Sequence, residues 1–85
     1  VEQQILLIDY VNHYIKPYAN IKTINRNLSS YILKHKAEKH LGFYVANLDM
    51  KVAMAQCGIE GVSYNQSINM YYPLSKKIKE VLGIV

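Results

Sequence analysis

Punctuation constrains this chain more than any other feature. Pro17, Gly42, Gly58 and Gly83 each stand just past a run of helical periodicity and divide the 85 residues into short pieces. Proline removes a backbone donor and crowds the preceding turn, and glycine best takes the left-handed conformation that closes a helix. No apolar run approaches the roughly 20 residues a membrane span needs. Short amphipathic helices must therefore pack on one another, and the 85 residues read as one domain, 1–85, with a modest core.

Within these limits, residues 2–15 place Leu7, Ile8, Tyr10, Val11, Tyr14 and Ile15 on one helical face and Glu2, Asp9, Asn12, His13 and Lys16 on the other, with Pro17 as the stop. Ser29 or Ser30 caps a second helix, which runs to Leu41. Asn47 reads as the N-cap of a third helix over 48–57, apolar on almost every side and so expected in the core. Residues 67–72 alternate with β-branched and aromatic content and read as a strand, whose partner is expected from 21–24 or 43–45 because a lone strand is unstable. Ser75 caps a last short helix with Ile78, Val81 and Leu82 inward. The expected fold is mainly α (α+β), about four helices with a small two-stranded β element, loosely winged-helix-like.

Charge is concentrated. Lys22, Arg26, Lys34, Lys36 and Lys39, five of the ten basic residues, fall within 22–42 beside one acid, Glu38, and are interleaved with His35 and His40. On a helical wheel Leu33, Ala37 and Leu41 form one apolar arc, while Leu28, Tyr31 and Ile32 form another beside Lys39 and His35. A mixed apolar and basic surface is typical of contact sites. The net charge of +4 is compatible with nucleic-acid contact but modest for a binder driven by charge alone.

Enzymatic chemistry finds little support. His35 and His40 are five positions apart, so a helix points them about 140 degrees from one another, and no cysteine or acid at chelating spacing completes a metal site. Cys57, the one cysteine, lies at an apolar helix end where a thiol behaves as a small hydrophobe, and it excludes an internal disulfide. The acids form no local pair, and the four glycines look like punctuation and form no phosphate loop. No signal-peptide pattern opens the sequence, and a reducing cytoplasm is the expected setting. Neither cofactor, metal, membrane nor small-molecule substrate is expected.

The tyrosines divide by position. Tyr10, Tyr14, Tyr31 and Tyr44 are expected to fill the core, whereas Tyr71 and Tyr72 are adjacent on a strand, so one ring must face outward. Helices two and three are a poor helix-turn-helix, because the third carries only Lys51 and Gln56 as candidate base contacts and places Asp49 near phosphates.

The run Ser29, Ser30, Tyr31, Leu33, Lys34, His35, Glu38, Tyr44, Val45, Asn47, Ala53, Met54 and Gly58, followed by Asn65, Ile68, Asn69 and Met70, resembles small accessory proteins of phages and other mobile elements of low-GC bacteria. The resemblance spans roughly 22–75 and carries no catalytic signature. It implies a protein that regulates transcription or replication, or that binds a host protein. The expected function is a non-enzymatic binding module. In its nucleic-acid form Lys34, Lys36, Lys39, Lys76 and Lys77 meet phosphates and Arg26 or Tyr71 lies nearer the bases. In its alternative form a protein partner or second copy docks on Leu28, Tyr31, Ile32, His35 and Tyr72.

Overall fold

In the computed structural model, which describes residues 2–83, the chain begins with α1 (Glu2–Tyr10), continues through a π-helical turn (Val11–Ile15) and ends this first rod in a 3₁₀ turn (Lys16–Tyr18). The helical stretch covers the expected 2–15, but its last turn is π-helical and Pro17 lies in the 3₁₀ turn beyond it. The Lys16 amide reaches back to the Val11 carbonyl, five residues away, and this wider turn brings Pro17 in at the start of the 3₁₀ segment. A proline there forfeits no needed donor. The buried face is the one the periodicity marks, with Leu7, Tyr10, Val11 and Ile15 inside.

Strand β1 (Asn25–Ser29) follows, then α2 (Ser30–Leu41) and α3 (Asn47–Gln56). Ser29 caps α2 by accepting the Ile32 amide at 3.4 Å, and Gly42 closes it with φ of +82°. Strand β2 (Tyr71–Tyr72) pairs antiparallel with β1, joining Asn25 to Tyr72 and Ser29 to Tyr71 around an irregularity in β1. Tyr71 also exchanges both backbone hydrogen bonds with Val62, at 2.7 and 2.8 Å. Residues 62–71 thus form a wing whose returning arm lies between Val62 and β1. Helix α4 (Ile78–Leu82) completes the order. The molecule is mainly α with a small β element, in the loose winged-helix order of helix, strand, two helices and wing.

Several expectations about elements need correction. The strand expected over 67–72 is confined to Tyr71–Tyr72, Lys77 rather than Ser75 occupies the N-cap of α4, and Val81, expected inward, is 42% exposed on a helix only five residues long. The partner strand is 25–29, just after 21–24 and nowhere near 43–45, because the Asn25 side chain turns inward, donates to the Leu74 carbonyl at 3.2 Å and accepts the Asn27 amide at 3.0 Å. Ala46, not Asn47, occupies the N-cap of α3, and the Asn47 amide group instead donates to the wing at the Ile68 carbonyl and Asn69 Oδ1. Nor is α3 buried all round. Met50, Ala53 and Met54 pack inward, but Leu48 is 65% and Val52 41% exposed, because α1 and α2 cover only two of its sides.

One core cluster unites these elements, including Leu28 and Leu33 from the α2 region, Met50 and Met54 from α3, and Tyr72, Leu74 and Ile78 from the chain's end. Among the described residues no helix is long and apolar enough to cross a membrane.

Candidate functional site

Helix α2 places every third or fourth residue on one side, so Tyr31, Lys34, His35 and Glu38 line one side of it, with Lys34 buried and Tyr31 and His35 exposed. Glu38 organises them. Its Oε1 accepts from Lys34 Nζ at 3.3 Å and from the Val45 amide at 3.1 Å, and its Oε2 faces His35 Nδ1 at 3.4 Å. The Val45 bond, helped by Lys34, holds the Glu38 carboxyl below its ordinary range against the opposing effect of burial. Lys34 Nζ also stands over the rings of Tyr31 (5.4 Å) and Tyr44 (5.0 Å). One acid thereby pins the turn after α2 to the helix and sets the pose of two aromatic rings.

Beside this network lies an open groove of about 550 Å³, lined by His35, Lys36, Glu38, Lys39, Gly42, Phe43 and Tyr44. A second groove of about 290 Å³ shares Lys36 and Lys39 and is floored by Tyr10, Tyr14 and His40, with Gly83 at its rim. Lys36 and Lys39 therefore form a ridge between two grooves, each with aromatic walls. The rings of Tyr14 and His40 meet edge to face at 4.9 Å, and those of His13 and Tyr14 at 4.6 Å. In the larger groove Glu38 is the one acid among the described lining residues, and its oxygens are already engaged. The ridge keeps its positive charge, and Tyr44, 74% exposed, presents its ring to solvent.

The structure sorts the expected contact residues unevenly. Lys36 and Lys39 share the ridge, and Lys36 Nζ only grazes the Gly83 carbonyl at 3.4 Å. Lys34 is 6% exposed and held by Glu38, so it cannot meet a phosphate without breaking that pair. Lys76 and Lys77 are exposed ahead of α4, whereas Lys36 meets the Gly83 end; the helix between is roughly 7–8 Å long. Lys34 is thus withdrawn from any shared surface, and Lys36 and Lys39 are the pair that line the same grooves. Arg26 and Tyr71 do come together, through a residue the sequence did not flag: the Arg26 guanidinium lies 4.2 Å above the Tyr64 ring, which packs 5.4 Å from that of Tyr71.

The expected protein-docking arc fails in part. Leu28 is fully buried because it belongs to β1, where a helical wheel does not apply, and Tyr72 is 1% exposed beneath the sheet. Ile32 is half-buried against the core, leaving Tyr31 and His35 outside. Tyr31 and Tyr44, expected as core fillers, are outward rings. Exposed aliphatic side chains are spread over several elements, with Ile5 and Leu6 on α1, Leu48 and Val52 on α3, and Ile68 on the wing among them. Lys51 Nζ holds the Ile68 carbonyl at 2.7 Å and keeps the wing against α3.

Among the described residues no group of three or more His, Cys, Asp or Glu is placed to hold a metal ion. Cys57 is buried, its thiol pushed up chiefly by burial, and its Sγ lies 3.6 Å from the Ile8 carbonyl. In comparisons with known proteins no family model matches this chain, and no curated protein or solved structure matches it.

Proposed function

We propose that the protein is a non-enzymatic nucleic-acid-binding module that uses the outer face of α2, in keeping with a regulatory role in a mobile element. The observation that carries this reading is the Lys36–Lys39 ridge between two aromatic-walled grooves, with the nearby carboxylate already neutralised by Lys34. Uncompensated cations beside exposed rings match the two needs of a nucleic acid, charge for the phosphates and flat surfaces for the bases. Helix α3, which a winged helix would lay in the major groove, presents Leu48, Val52 and Ala55 outward and carries Asp49 in its first turn, a poor surface for base edges or phosphates.

Retention on immobilised nucleic acid at rising salt tests the reading. The wild-type protein binds at low salt, and replacing Lys36 and Lys39 by Ala lowers the eluting salt. On a single strand each lost phosphate contact reduces the slope of log K against log salt by about 0.7. No retention at low salt sinks the proposal.

A second reading rests on the outward apolar side of α3. Leu48 at 65%, Val52 at 41% and Ile68 at 74% exposure suit a protein partner or second copy better than water. Sedimentation at increasing concentration tests the second-copy form: a dimer dissolved by Leu48→Lys supports it, and a monomer throughout removes it.

A further inference from the structure

The geometry of the α2 face favours one form of nucleic acid over another. Resting on the nucleic-acid reading above, we propose that its occupant is single-stranded, with the backbone crossing the Lys36–Lys39 ridge and unpaired bases lying on the aromatic walls to either side. In a duplex the base faces are stacked on one another, so an exposed ring gains nothing from them; an unpaired base can lay its face on a tyrosine.

Tyr44 is built for that contact. Its ring is 74% exposed, stands at the mouth of the larger groove, and has the Lys34 ammonium 5.0 Å from its centroid. The ammonium stands over the Tyr31 and Tyr44 rings and is itself fixed by Glu38, so the aromatic wall is held in place before any ligand arrives. Across the ridge, the exposed imidazole of His40 against Tyr14 offers a second platform. Two stacking stations separated by a two-lysine ridge repeat the order of a single strand, in which base and phosphate alternate.

Polarity within the groove agrees. Gly42 closes α2, and Lys39 stands in the last turn, where its charge offsets the partial negative charge of the final carbonyls and leaves the cations of the ridge to meet phosphate. Phosphates therefore lie towards Lys36 and Lys39, and the uncharged base lies towards Gly42, Phe43 and Tyr44. The smaller groove continues the path towards Val81 and Leu82.

Fluorescence anisotropy with a labelled oligothymidylate of about 12 nucleotides, inside the usual site-size range, and with its duplex on oligodeoxyadenylate tests the proposal at low salt. The single strand is expected to bind at least tenfold more tightly than the duplex. Tyr44→Leu is expected to weaken single-strand binding about tenfold, in line with the loss of one stacked base, and to leave duplex binding unchanged. Circular dichroism checks that this exposed-site variant folds. Equal or tighter binding of the duplex, or single-strand binding indifferent to Tyr44→Leu, overturns the single-strand assignment while leaving the nucleic-acid reading intact if Lys36→Ala and Lys39→Ala still weaken both forms. Failure of both forms to bind overturns both.

Discussion

Replacing Gly61 by alanine tests how the wing is fastened to the core. A Cβ at this position would lie 2.6 Å from Tyr72 Cε1, 2.7 Å from Tyr72 Cδ1 and 2.8 Å from the Tyr71 carbonyl oxygen. Ordinary carbon contacts are about 3.5–4.0 Å, so the new methyl overlaps its neighbours by roughly an ångström. Neither neighbour yields easily. The Tyr72 ring is 1% exposed in the core, and the Tyr71 carbonyl accepts the Val62 amide at 2.8 Å. Relief must come from displacing the backbone around Gly61, which disturbs the paired bonds between Val62 and Tyr71. Overpacking costs about 1–3 kcal/mol, and the strain passed to the Val62–Tyr71 pairing puts this site towards the upper end, so Gly61→Ala should destabilise the fold by about 2–3 kcal/mol. For a domain of this size that lowers Tm by roughly 10–20 °C, a large share of a net stability of several kcal/mol. Gly58→Ala is the control: its Cβ meets nothing within 4 Å, and only the backbone φ of +78° opposes it, at about 1 kcal/mol. Thermal and urea unfolding followed by circular dichroism measure both. The reasoning is refuted if Gly61→Ala stays within about 0.5 kcal/mol of wild type, or if Gly58→Ala proves the more damaging.

Other perturbations have equally definite outcomes. The Tyr72 hydroxyl is buried and finds no hydrogen-bond partner among the described residues, so Tyr72→Phe keeps the ring packing, removes a desolvated polar group and should raise stability by about 1 kcal/mol in urea unfolding. Burial pushes the Tyr72 phenol up to about 12 from 10.0, and burial, with Tyr14 nearby, does the same for Tyr10. The folded state thus holds these protons more tightly than the unfolded chain. Their contribution to stability is complete below pH 10.0 and is lost as pH rises towards 12, and Tyr72→Phe should flatten that alkaline decline. Glu38 shifts the other way: its contribution is present above its ordinary pKa and fades as pH falls through the depressed folded value. Glu38→Gln should lower the urea midpoint and weaken this acid dependence, and adding Lys34→Met should recover part of the loss by removing the buried ammonium left without its partner.

Helices were the legible part of this fold because their signals are local. Ser29 caps α2 with its hydroxyl and Gly42 closes it in the left-handed region, and the buried stripe of the first rod runs through Leu7 in α1 and Val11 and Ile15 in the π-helical turn. The strand pairing was not legible, since Asn25, Arg26 and Asn27 show no apolar alternation; what selects them is the Asn25 bond to the Leu74 carbonyl, a contact 49 residues away. The docking surface suffered in the same way. Leu28 belongs to an arc only if the helix begins before Ser29, and α3 looks like a core helix until it is known how many neighbours cover it. At the candidate site, His35, Lys36 and Lys39 could be read from charge density, whereas Tyr44 could not. Its position after Gly42 says nothing about whether the ring turns inward. The Lys34 to Glu38 spacing of four does signal the pair that helps hold it, and Glu38's bond to the Val45 amide then fixes the turn.

The central claim is that α2, not α3, meets nucleic acid, and amide chemical-shift mapping during titration with oligothymidylate tests it most directly. Shifts concentrated at His35, Lys36, Lys39, Gly42 and Tyr44 are the predicted result. Shifts concentrated at Leu48, Val52, Ala55 and the wing around Ile68, with the α2 face silent, would contradict it.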